Sequence, residues 1–170
     1  MPLHLEPLNI SDELQEHSSA LIVTCPICPP ASLASDSDSP LIDFFKRGIK
    51  TPAYEDFIGE LTRTLEQRGI KTGVFTSYLP SPIACGWTKG QRKRLLKRAR
   101  NFDTVLVMGC ESARYTVEET LKDTDCEVIL AMRFVGITNA SLTFEFPFTL
   151  RLGDLACVDA NQQAAQELKP

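Results

Sequence analysis

Ala20-Leu21-Ile22-Val23-Thr24-Cys25-Pro26-Ile27-Cys28 is the stretch on which the fold turns. Its first five residues are apolar or β-branched with no polar alternation, which predicts a strand buried on both faces, as in parallel sheets. Pro26, Pro29 and Pro30 withhold backbone donors, so the ladder must end here. Two cysteines therefore lie just past the end of a buried strand.

Working outward, Thr51-Pro52 has the chemistry of a helix start, an N-cap followed by a first-turn proline. Tyr54, Phe57, Ile58, Leu61 and Leu65 then recur at helical spacing up to Gly69. Lys71–Leu79 predicts a second strand and Thr104–Met108 a third, with a helix from Thr88 to about Arg100 between them. A further helix is expected over Ser112–Lys122, with Tyr115, Val117 and Leu121 among its apolar positions. Strand and helix in alternation predict a parallel sheet with right-handed crossovers. Glu127–Ile137 and Ser141–Leu152 read as two extended runs turning at Thr138-Asn139-Ala140. The expected fold is thus α/β, a flavodoxin-like three-layer sandwich whose mostly parallel sheet is finished by a C-terminal antiparallel β-hairpin. Residues 1–18 read as an arm and 154–170 as a tail with a short helix. The polar stretch 29–50 reads as a long loop, a lid or a surface excursion.

The composition fits one domain. The chain has 170 residues, 43% hydrophobic and 24% charged, with a formal net charge of −4. That charge argues against a nucleic-acid binder. No apolar run reaches the roughly 18 residues that span a bilayer. The acidic residues Glu6, Asp12, Glu13 and Glu16 are the wrong charge for a signal peptide. Cytoplasmic residence and no membrane partner are expected. In that compartment cysteines serve as ligands, reactive thiols or small core residues rather than disulfides.

In a parallel sheet every carboxyl end lies on the same edge, where ligands of open α/β folds bind. Cys25 and Cys28 follow the first strand, Cys85 the second and Cys110 the third. Strands about 4.8 Å apart could bring four thiolates around one small object. Soft thiolates select zinc, copper(I) or iron–sulfur clusters, and the unpaired spacing of Cys85 and Cys110 favours a cluster over zinc. Cys126 and Cys157 read as small core residues.

The run Leu21–Cys28, then Cys85-Gly86, then Val105-Leu106-Val107-Met108-Gly109-Cys110 resembles the delta subunit of methyl-viologen-reducing hydrogenase. Arg114 stands where that family has a further cysteine. The resemblance implies a small iron–sulfur protein of electron transfer or cofactor chemistry in anaerobic-type metabolism, with Cys25, Cys28, Cys85 and Cys110 as ligands.

Two alternatives stay open. Gly109-Cys110-Glu111-Ser112 places a cysteine at a strand-to-helix elbow, which suits a Cys110 nucleophile with Glu111 as a local acid or base. Such a thiol needs a partner base, and the histidines are His4 and His17, both in the arm. The other alternative is a metal-free module that binds a cofactor or partner. Lys89, Arg92, Lys93, Arg94, Lys97, Arg98 and Arg100 crowd one helix. Lys89, Arg92 and Lys93, nearest Cys85, could hold an anionic cofactor, and the whole face could dock an acidic redox partner. Phe144, Phe146 and Phe148 form one face of an extended run and suit core or homodimer packing. No Gly-rich dinucleotide fingerprint or P-loop is present.

Overall fold

The computed structural model describes residues 3–159, with side chains as far as Gly153. In chain order its first elements are β1 (Leu3–Pro7), β2 (Ser19–Thr24), α1 (Cys28–Asp36), β3 (Ile42–Asp43), α2 (Phe44–Arg47) and α3 (Pro52–Gln67). There follow β4 (Lys71–Thr76), a 3-10 turn (Ala84–Gly86), α4 (Lys89–Ala99), β5 (Thr104–Met108) and α5 (Glu111–Leu121). β6 (Glu127–Leu130), β7 (Met132–Glu145) and β8 (Thr149–Asp159) complete the chain. No helix among the described residues is long and apolar enough to cross a membrane.

The chain divides into two compact units. One comprises Pro7–Ile27 and Gly59–Arg133. It holds a four-stranded parallel sheet in the order β4-β2-β5-β6. β2 is central, with Ile22 opposite both Val74 and Leu106. That position explains its unbroken apolar run, since Ala20 through Val23 are all buried. Leu21, Val23 and Cys25 alternate onto one face with Val105 and Val107. There they pack with Leu95 and Ala99 of α4 and Ala113, Val117 and Leu121 of α5.

The helix boundaries follow local chemistry. Thr88 caps α4 in a capping box: its hydroxyl accepts from the Gln91 N–H while the Gln91 side chain accepts from the Thr88 N–H. α3 stops at Gln67, and Gly69 takes a positive φ of 82° just beyond it. At the sheet's amino edge Asp103 accepts from the Ser18 N–H at 2.9 Å and the Ser18 hydroxyl at 2.8 Å. Burial raises its carboxyl, but the bonds from Ser18 and Ser19 outweigh that and hold it below the usual range.

The other unit comprises Met1–Glu6, Cys28–Ile58 and Phe134–Pro170. Its four-stranded sheet runs in the order β1-β7-β8-β3. β7 and β8 form an antiparallel hairpin with Phe144 opposite Leu150, and β3 adds Ile42 on the far side of Leu150. Several expectations are corrected here. The hairpin does not finish the parallel sheet but builds a second one. Its turn lies at residues 146–148 rather than at Thr138–Ala140, because residues 137–145 hold no glycine or proline to break the strand before Glu145. Residues 154–159 are strand rather than tail, and the remainder of the expected tail helix lies outside the described residues. Leu3–Pro7 of the arm is strand.

The stretch 29–50 is not one long loop. Pro29 and Pro30 fall in the first turn of α1, where a helix asks for no backbone donor, so prolines that end β2 also begin a helix. Ser32 ties α1 to β1, accepting from the Leu5 N–H at 2.9 Å.

Candidate functional site

The carboxyl edge of the parallel sheet is the first candidate. Cys25 continues β2 past Thr24, its N–H donating to the Met108 carbonyl at 3.0 Å. It is buried in the cluster that also takes in Ala84, Trp87 and, partly buried, Cys110. Cys110 is the N-cap of α5, contributing no side-chain cap bond. Gly109 keeps this junction tight: a Cβ there would lie 2.8 Å from the Ala113 Cβ and 3.5 Å from that of Cys25. Cys85 is exposed on the 3-10 turn. Cys25, Cys85 and Cys110 thus belong to one unit, whereas Cys28 opens α1 in the other.

None of the five described cysteines forms a disulfide. Among the described residues no three His, Cys, Asp or Glu side chains converge as a metal-binding group. The expected four-thiolate donor set takes Cys25, Cys85 and Cys110 from one unit and Cys28 from the other. Cys126 lies beside the amino edge, where burial first and the Asp103 charge second push its thiol up to about 11. Cys157 has no described side chain.

His17 is not the base for Cys110. Its Nε2 lies 3.2 Å from Glu127 and its Nδ1 3.8 Å from Asp103, at the amino edge. β5 separates Asp103 from Cys110 by about 20 Å of extended chain. His4, in the other unit, has Nδ1 3.2 Å from the Thr138 hydroxyl and Nε2 3.2 Å from Asp36. Glu111 is exposed in the first turn of α5 and faces Arg114 at 3.7 Å. That position stabilises the helix start by charge.

The basic helix is partly a structural strap. Arg92 Nε donates to the Trp87 carbonyl at 3.4 Å, and Arg94 donates to the Leu79 carbonyl at 2.9 Å. Lys89 and Lys93 are exposed. Sequence reasoning missed Gln91, which lies fully buried inside this basic run. It donates to the Ser81 carbonyl at 2.6 Å and the Ser77 hydroxyl at 2.9 Å, binding the loop before α4. It also missed Trp87, buried against Phe75 with ring centroids 5.6 Å apart. The Trp87 Nε1 has no hydrogen-bond partner among the described residues. The available signal for Gln91 was the Thr88-x-x-Gln91 capping-box spacing.

The second candidate is on the antiparallel sheet. Pairing of β3 with β8 sets α2 beside the hairpin turn, and four phenylalanines meet there. Phe148 lies 6.3 Å from Phe44, 5.7 Å from Phe45 and 6.0 Å from Phe144 between ring centroids. None is core: Phe44 is 53% exposed, Phe45 68%, Phe144 60%, Phe148 53% and the neighbouring Phe146 92%. Of the two expectations for the Phe144–Phe148 stripe, core or homodimer packing, the first is corrected. Basic residues around it are matched by acids: Lys46 to Asp43 at 3.4 Å, Arg47 to Asp56 at 2.8 Å, Lys50 to Glu55 at 2.8 Å and Arg151 to Glu145 at 3.1 Å.

No family model matches the chain, and no curated protein or solved structure matches it.

Proposed function

We propose that this protein is a binding module whose antiparallel sheet presents an aromatic docking surface to another macromolecule. The carrying observation is that Phe44, Phe45 and Phe144 all meet Phe148, with Phe146 next to them in the chain, and that each of the five is more than half exposed. Aromatic side chains supply large contact areas and dominate interface energetics. A contiguous apolar patch on a folded protein marks an interaction site. A photo-crosslinking side chain at position 146 tests this in cells expressing the full chain, with the same probe at the exposed Glu119 as control. A discrete adduct from position 146 and none from 119 is expected; no adduct at 146 would overturn the reading.

A second reading has its own support. Cys25 and Cys110 share one cluster at the carboxyl edge of the parallel sheet, and that cluster includes Trp87, whose indole N–H has no partner among the described residues. The parallel order β4-β2-β5-β6 supports reading this unit as a flavodoxin-like core, in which this edge would take the ligand. In this reading the thiols serve electron transfer or cofactor chemistry, as the hydrogenase-subunit resemblance implies, with Cys28 and Cys85 joining them around an iron–sulfur cluster or zinc. Metal and acid-labile sulfide analysis of protein purified without oxygen tests it. Iron and sulfide lost in Cys110→Ser would support the cluster, and metal-free protein would leave the docking reading alone.

A further inference from the structure

We infer that the macromolecule docked on the aromatic surface is a second copy of this chain, joined through a two-fold interface centred on the β7–β8 turn. This rests on the docking reading above and names its partner. A phenylalanine side chain carries on the order of 200 Å², so the exposed parts of Phe44, Phe45, Phe144, Phe146, Phe148 and Leu142 amount to roughly 700 Å². The largest apolar patch on a monomer is commonly about 300–600 Å². A stable interface takes about 800 Å² from each partner. One copy of this surface therefore supplies what one side of a dimer needs.

Charge selects among occupants. An anionic lipid surface or an acidic protein would call for unmatched basic groups around the aromatics. Here Lys46, Arg47, Lys50 and Arg151 each face a carboxylate of the same unit. The bases beside the aromatics are thus paired and offer no unmatched cation to an acidic partner. Two-fold pairing lets one patch serve both sides.

Sedimentation of the full chain from low to high micromolar concentration tests the inference. The wild type is expected to pass from monomer to dimer mass, little affected by salt. The Phe45→Ser, Phe146→Ser double variant is expected to stay monomeric with an unchanged far-UV spectrum. Should the double variant misfold, Phe146→Ser alone serves, since that side chain is almost wholly exposed. A wild type that is monomeric throughout overturns the inference, as does a folded variant that still dimerises. Flotation with phosphatidylserine-containing vesicles separates the two levels. A monomer that floats with vesicles only when Phe146 is present refutes the second copy yet leaves the docking surface standing. A monomer that neither floats nor crosslinks at position 146 refutes both.

Discussion

Replacing Gln91 by alanine should destabilise the parallel-sheet unit far more than its place in a basic, polar run implies. The side chain is fully buried and bonds to three residues, Thr88, Ser81 and Ser77. It accepts from the Thr88 N–H at 3.2 Å and donates to the Ser81 carbonyl at 2.6 Å and the Ser77 hydroxyl at 2.9 Å. Each such bond contributes about 1 kcal/mol net, and an orphaned buried partner costs at least as much. The expected loss is therefore about 3 kcal/mol. Thr88→Ala removes the cap hydroxyl that accepts from the Gln91 N–H and should cost about 1 kcal/mol. Because the two residues share a capping box, the double variant should cost less than the sum. Urea unfolding followed by the fluorescence of Trp87, the single tryptophan, reads this unit directly. A Gln91→Ala loss under about 1 kcal/mol, or strict additivity with Thr88→Ala, would refute the reasoning.

Gly109→Ala should cost about 1–3 kcal/mol, because the new Cβ meets the Ala113 Cβ at 2.8 Å and neither atom can rotate away. Urea midpoints check it, and a neutral substitution would show that α5 shifts freely. Asp103→Asn probes the amino edge through pH. Burial opposes ionisation of Asp103, but the Ser18 and Ser19 bonds lower its carboxyl overall. Its contribution is therefore present above the unfolded value of about 4 and lost as pH falls through the lower folded value. Melting curves of wild type and variant should differ at neutral pH and converge in acid; a constant gap would count against the assignment. Iodoacetamide at mildly alkaline pH should modify exposed Cys85 first and Cys126 slowly, since the latter's thiol is pushed up to about 11. Peptide mass spectrometry reads the order, and equal rates would contradict it.

Much of the parallel unit was legible because its signals are local. The unbroken run at residues 20–24, the Thr88 cap and the Val105–Met108 strand each carry their own period or cap chemistry, and the alternation of elements implies the parallel order. The same edge logic puts four cysteines together, of which Cys25 and Cys110 share one cluster. It did not reveal that Cys28 starts a helix in another unit, because prolines that end a strand are equally at home in a helix's first turn. The docking surface was half visible. Phe44-Phe45 and the Phe144–Phe148 stripe are plain in the sequence, yet an alternating apolar face reads as core wherever a covering layer exists. Only tertiary structure decides that. The pairing of Ile42-Asp43 with Thr149-Leu150 is a contact over about a hundred residues with no local signature, and it brings the two aromatic groups together. Local order came from the sequence, while the meeting of distant strands and the exposed aromatic surface came from long-range pairing.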